Sequence, residues 1–167
     1  MEYILIGKIV STHGIKGEIK LISDFEYKDK VFKVNNKVYI GENKSPEVIT
    51  SYRRHKNYDM IILEGYNDIN QVLRFKGEKV YLNKEDLLLD ENEYLDSSLI
   101  GLNIYDNNDL LGEIIEVFSP SANQKVIRFS KNGKNFLVPY VKNFVKKIDL
   151  SNKKVILYSM EGVLECE

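Results

Sequence analysis

Two histidines, His13 and His55, are the only imidazoles in the chain, and they bound the chemistry it can perform. A three-histidine zinc site cannot be built from two, and a mixed histidine–carboxylate site finds no helix carrying ligands at i, i+4. No Gly-x-Ser-x-Gly elbow exposes a serine nucleophile. The glycine spacing matches neither nucleotide fingerprint, and no Lys-Ser/Thr pair follows a glycine-rich turn. Carboxylates are plentiful but lie in turns and connectors, where solubility accounts for them. The single cysteine, Cys166, offers neither a disulfide framework nor a thiolate metal site and suits a reducing cytosol. The expectation is no catalytic residues, no metal and no cofactor. A strand-rich chain with decorated loops and no reactive constellation reads as a binding module, not an enzyme.

What remains is recognition chemistry in three places. The segment Ser11–Gly17 holds His13, Gly14, Lys16 and Gly17. One imidazole, one ammonium and accessible backbone amides can meet a phosphate or a polar partner. The same residues also read as plain turn chemistry, since glycine adopts positive φ at little cost. Arg53, Arg54, His55 and Lys56 form the densest basic cluster of the first half, either a solvated face or an RNA-backbone contact. Lys142, Lys146, Lys147, Lys153 and Lys154, with only Asp149 among them, give a positive face near the far end. Lysine and arginine together number 24 against 25 acidic residues, a net charge of −1. A protein that wraps duplex nucleic acid is normally far more basic, so any RNA contact must come from local patches or alongside a protein partner.

Strands must position these groups. Alternating or apolar runs predict strands at Tyr3–Val10, with a bulge or close approach at Gly7, and at Glu18–Ser23, Asn36–Ile40, Glu47–His55, Tyr58–Leu63 and Glu78–Leu82. Asp24–Phe32 reads as a loop with a helical turn. Asp68–Phe75 is the clearest helix of this half, capped by Asp68 and closed by Gly77. One short helix closing about six strands is how a small barrel covers an open end. An acidic connector then leads to Tyr94-Leu95, and a new β module begins. It has a hairpin over Leu99–Phe118 with a polar turn at Asp106–Asp109, a loop at Ser119–Asn123, and a strand at Lys125–Phe129. An Asn-Gly turn follows at 131–134, then strands at Phe136–Val141, Val145–Leu150 and Val155–Tyr158. Pro139 has no amide hydrogen for a ladder and belongs at an edge or bulge. The domains expected are residues 1–89, a linker at 90–96, and residues 97–167. The segment MEYILIGKIV lacks the features of a signal peptide and no run spans a bilayer, which predicts a soluble, intracellular protein.

GKIVSTHGIKGEIKLISD, with Gly7, His13 through Glu18 and Ser23-Asp24, resembles the amino-terminal signature of the bacterial ribosome maturation factor RimM family. DMIILEGYNDINQVLRFKGEKVYL resembles that family's strand–helix–strand, EYLDSSLIGLNIYDNNDLLGEIIEV the start of its PRC barrel, and LVPYVKNFVKKIDLSNKKVILYSMEGVLE its closing strands, with Pro139, Asp149 and Gly162-Val163-Leu164. Four motifs in the correct order are specific. The resemblance implies an all-β chain with short helices in two small β-barrels: an amino-terminal translation-factor-like barrel and a carboxy-terminal PRC barrel. It implies a non-enzymatic, cytoplasmic assembly factor for the head of the small (30S) subunit, binding ribosomal protein uS19 and assisting 16S rRNA folding and processing, with a monomer expected. Site residues expected are His13, Gly14, Lys16, Gly17, Arg53 and Arg54 for ribosome or RNA contact, and Tyr94, Leu95, Asn123, Phe136, Pro139 and Tyr140 for protein contact, with Phe136 and Tyr140 beside the Pro139 edge open to either packing or contact. Tyr94 could equally pack the two barrels together. Two departures stand out. The family's seam Tyr-Tyr is Tyr94-Leu95 here, and its Asn-Asp pair is Asn123-Gln124. Rival readings are an electron-transfer or membrane-attached barrel and an RNA-modifying enzyme. Neither finds a cofactor, membrane or methyl-donor motif here.

Overall fold

The computed structural model of the chain describes residues 1–121 and 123–158, and the backbone of 165–166; the Gly162-Val163-Leu164 tail lies outside the described residues. The chain divides into two compact units, Met1–Asp90 and Glu91–Glu167.

In the first unit six strands close into a barrel. They are β1 (Tyr3–His13), β2 (Glu18–Ile22), β3 (Lys37–Ile40), β4 (Ser45–His55), β5 (Tyr58–Leu63) and β6 (Lys79–Asn83), in the cyclic order β1-β2-β5-β4-β3-β6. Alternation along each strand turns one set of side chains inward. Ile6, Ile9, Ile19, Leu21, Val38, Ile40, Ile49, Ile61, Leu63, Val80 and Leu82 are buried in one cluster. Full burial of each such side chain contributes about 1.5–3 kcal/mol, which the cost of ordering the chain largely offsets. The expected irregularity at Gly7 is present. The β1–β6 register shifts between Leu5 and Gly7, and a Cβ at Gly7 would lie 3.0 Å from the Ile22 carbonyl oxygen.

Two short helices plug the barrel. In α1 (Lys28–Val31), Val31 is buried and Phe32 follows it into the core. In α2 (Ile69–Val72), extended by a 3-10 turn over Leu73–Phe75, Val72 and Phe75 are buried. Asp68 and Gln71 form a reciprocal capping box, which satisfies two otherwise unpaired amides.

The second unit is one seven-stranded sheet around its own core. Its strands are β7 (Asn103–Asp106), β8 (Asp109–Ser121), β9 (Gln124–Lys131), β10 (Lys134–Pro139), β11 (Val145–Asp149), β12 (Lys154–Leu157) and β13 (Glu165–Cys166), in the order β11-β12-β7-β8-β9-β10-β13. Leu99, Ile104, Ile114, Ile127, Phe129, Val138, Val155 and Leu157 are buried together. The pair β12–β7 is parallel and the others are antiparallel.

Several sequence boundaries move. β1 runs on to His13, leaving only Gly14–Gly17 as the turn, and β8 runs through Ser121, absorbing most of the expected loop. The hairpin begins at Asn103, because Asp96–Leu99 is a 3-10 turn and Gly101 has φ +87°. Periodicity marks a strand's apolar middle well and its polar ends poorly. Among the described residues no helix is long and apolar enough to cross a membrane.

Candidate functional site

On the first barrel, β1 carries His13 to the strand end, and the turn after it is fixed by two left-handed glycines, Gly14 (φ +70°) and Gly17 (φ +87°). Gly17 is buried, and a Cβ there would sit 3.3 Å from the backbone of Asp68. The Ile69 amide donates to the Ile15 carbonyl oxygen at 2.9 Å. The turn is therefore clamped against the start of α2, while the side chains of His13, Ile15 and Lys16 stay exposed. Ile15 is 79% exposed. It is absent from the residues expected from sequence, where its signal is an isoleucine among glycines, histidine and lysine in a tight turn.

The structure brings this turn to the basic cluster forty residues later in the chain. The His13 and His55 ring centroids are 6.0 Å apart. Arg53 donates from Nε and Nη2 to the two carboxylate oxygens of Glu18, at 2.9 and 2.7 Å. That pairing holds the Glu18 carboxyl below its ordinary range. A shallow pocket nearby is lined by His13, Gly14, Ile15, Lys16, Glu18 and Ile62. The patch thus joins exposed cations, two imidazoles and one apolar tip, with Glu18 neutralising Arg53.

Arg54 belongs elsewhere. Neighbouring residues in a strand point to opposite faces, and Arg54 reaches the barrel mouth, where its Nη1 lies 3.4 Å from Asp59 Oδ1. Asp59 is wholly buried and also accepts from Lys28 Nζ at 3.0 Å and the Tyr52 hydroxyl at 2.6 Å. Tyr52 stacks on Phe32 with centroids 6.3 Å apart. Burial, and then the Asp59 carboxylate, push the Tyr52 phenol up to about 12. A buried carboxylate requires such partners, so the guanidinium of Arg54 completes the fold's own network.

In the second unit most of the expected protein-contact residues meet at one end of the sheet. Pro139 pairs with Val126, and the Tyr140 amide donates to the Lys125 carbonyl oxygen at 2.8 Å. Asn123 is exposed in the turn just before β9, and Pro139 is exposed at the end of β10. Lys125 Nζ pairs with Asp96 at 2.8 Å, which ties the Tyr94-Leu95 segment to the same end. Tyr94 is half-buried, with its hydroxyl 3.4 Å from the Ile148 carbonyl oxygen. Leu95 is buried at 8% exposure, so its side chain packs and presents almost no surface. Phe136 lies apart, stacked on Phe129 with centroids 5.5 Å apart against the core.

Beside Tyr94 and Tyr140 runs an open groove of about 680 Å³, lined also by Val145, Lys142, Lys146 and Lys147. In the sequence the lysines and the tyrosines are separate features; the hairpin β11–β12 and the segment leading into it bring them to one groove. Among the described residues, no group of three or more His, Cys, Asp or Glu side chains is placed to hold a metal ion.

Comparison with known proteins agrees across both units. Residues 4–87 match the family model for the RimM N-terminal domain and residues 96–163 that for the RimM PRC barrel domain. A relative from Bacillus mycoides (strain KBAB4), named ribosome maturation factor RimM, is 38% identical over 165 residues, covering 95% of this chain and 96% of its own. A relative of the same name from Bacillus cereus (strain AH187) has the same identity and coverage. A crystal structure from Pseudomonas aeruginosa, described as a 16S ribosomal RNA processing protein RimM, is 23% identical. It covers 94% of this chain and 97% of its own with a TM-score of 0.47.

Proposed function

The chain belongs to the RimM family of ribosome maturation factors, and on that premise we propose that it acts without bond chemistry in late maturation of the small (30S) ribosomal subunit. The proposed target is the precursor's head, with 16S rRNA folding and processing as the outcome. The observation that carries this reading is the convergence of His13, Lys16 and Arg53 on one outer face of the first barrel, in a chain whose net charge is −1. A near-neutral protein with a local basic face can hold rRNA phosphates at one place without coating nucleic acid indiscriminately. His13, Gly14, Lys16, Gly17 and Arg53 form this contact, with Gly14 and Gly17 shaping the backbone. Arg54, held at Asp59 but half-exposed, is a separate proposed contact at the barrel mouth.

The protein contact is assigned to the sheet end of the second unit, with uS19 as partner. Asn123 and Pro139 supply the exposed rim and Tyr94 and Tyr140 the aromatic anchors, with Leu95 packed at the same end and Phe136 contributing from its stack on Phe129. Ribosomal proteins are basic, and the connector acids Asp90, Glu91 and Glu93 provide charge of the complementary sign. The protein is proposed to work as a monomer in the cytoplasm, on the domain plan of residues 1–89, 90–96 and 97–167.

Two weak contacts on one chain raise each other's effective concentration, so the pair favours a particle that presents both surfaces at a workable separation. A factor of this kind shifts the population of head conformations and leaves when maturation removes one contact. Co-sedimentation with precursor and mature small subunits at two salt concentrations tests the reading. Binding restricted to precursor particles and weakened by salt supports it, and equal binding to both particles refutes it.

A further inference from the structure

We propose that the groove beside Tyr94 and Tyr140 is a second RNA site, one that takes a single-stranded segment of rRNA; the proposal rests on the family reading above and adds a surface to it. The groove wall carries Lys142, Lys146 and Lys147. Lys147 is paired only loosely, 4.0 Å from Asp149. Asp149 is held mainly by Asn152, whose side-chain and backbone amides donate to it at 2.8 and 3.1 Å. Those hydrogen bonds depress the Asp149 carboxyl. Among the described residues, neither Lys142 nor Lys146 takes part in an ion pair, and both are exposed. Among the described residues, Glu91 is the one acid lining the groove.

Ribosomal proteins, as basic partners, are repelled by three such ammonium groups, whereas a polyanion is attracted. The tyrosines decide which polyanion. Aromatic rings beside a cationic track are how proteins hold single strands, because every base offers a flat face while the backbone follows the charge. A volume near 680 Å³ lies within the usual range for ligand pockets, about 300–1,000 Å³. The open shape suits a strand passing through better than an enclosed small molecule. Duplex RNA is read across its broad minor groove mainly through 2′-hydroxyl and phosphate contacts, with its bases stacked on one another and not on protein rings. Protein contact at Asn123 and Pro139 and RNA contact in the groove can therefore share the Tyr94–Tyr140 border.

The test uses the full chain and a fluorescein-labelled ten-nucleotide oligouridylate, read by anisotropy across a salt series. Three lysines on the strand correspond to a log–log salt slope of roughly −2 for single-stranded RNA. Lys142→Glu/Lys146→Glu, two exposed positions, should lower affinity by about tenfold or more and flatten the slope. Tyr140→Leu should weaken binding by about tenfold with the slope retained, since it removes stacking and not charge. Melting temperature monitors the fold of each variant. Lys16→Glu on the first barrel controls for binding at the other surface and should leave the groove's share of the slope intact. Binding unchanged by the groove variants overturns the proposal. So does displacement of the oligonucleotide by polyglutamate of equal charge, which would assign the groove to an acidic protein. Co-sedimentation with precursor subunits is scored on the same preparations. Oligonucleotide failure with particle binding preserved removes the groove assignment alone, and failure of the unaltered chain to bind precursors removes the family-based function.

Discussion

Glu18→Gln should tighten RNA binding by the first barrel while leaving its fold almost untouched. Arg53 grips Glu18 through two hydrogen bonds, and the two side chains are 45% and 13% exposed. With Arg53 half-exposed and the bidentate pair at the barrel surface, its net contribution to stability is modest, and glutamine keeps an acceptor for the guanidinium, so melting should fall by a few degrees at most. The electrostatic effect on binding is larger. A phosphate held on the far side of Arg53 lies about 7 Å from the Glu18 carboxylate, where repulsion is roughly 0.6–2.4 kcal/mol between the limits of bulk water and a protein surface. Screening over a Debye length of about 8 Å cuts this to about 0.3–1 kcal/mol, a tightening of about two- to fivefold. The gain should shrink as salt rises. Anisotropy titration with precursor rRNA fragments at 50 and 200 mM salt measures it. Weaker binding by a variant of unchanged melting temperature would show that Glu18 acts by orienting Arg53, and would refute the view of this acid as a mere brake on a basic face.

Other outcomes test the geometry. Gly17→Ala should destabilise the first unit by about 1–3 kcal/mol and weaken particle binding, because it combines a left-handed residue with a Cβ tight against Asp68. Gly14→Ala, whose Cβ meets open space, should cost less, and a reversed order in chemical denaturation would contradict the clamp. Raising pH from 10 to about 12 should erode stability, because the Tyr52 phenol titrates near 12 when folded and near 10 when unfolded. Its neutral-form contribution is complete below 10 and disappears through that window. Denaturation curves of Tyr52→Phe should lack this part of the slope. Gly112→Ala places a Cβ onto the Ser130 carbonyl oxygen and should disrupt β8–β9. Calorimetry should show the second unit's transition lowered, with the first unit's retained.

The fold was readable where pattern and side-chain chemistry coincide. YDMIIL could only be a strand, Asp68 before an apolar helical run could only be a cap, and the Asn132-Gly133 turn sits where the dipeptide places it. The candidate surfaces were less readable, because they depend on which strands lie side by side. Nothing in the spacing of His13 and His55 shows that β1, β2, β5 and β4 bring their rings within 6.0 Å. Arg53 and Arg54 look equivalent in sequence, yet strand alternation sends one to Glu18 on the outer face and the other to Asp59 at the barrel mouth. Leu95, read as a contact, is buried because the following 3-10 turn packs Leu99 into the core. The lysine groove depends on how the segment from Tyr140 to Ile148 faces Tyr94, a long-range arrangement that periodicity does not encode.

The proposed mode of action is a grip through two surfaces on an unfinished particle. Affinity for purified precursor subunits should be measured for the full chain, for Lys16→Glu/Arg53→Glu on the first barrel, for Asn123→Lys/Pro139→Lys on the exposed rim of the second unit, and for all four changes together, with mature subunits as reference. Each pair of changes should reduce precursor affinity by at least about tenfold, because losing one contact forfeits the effective concentration supplied by the other. The fourfold variant should bind precursors no better than the unaltered chain binds mature subunits. Full precursor affinity in either two-site variant, with the fold intact, would contradict the account.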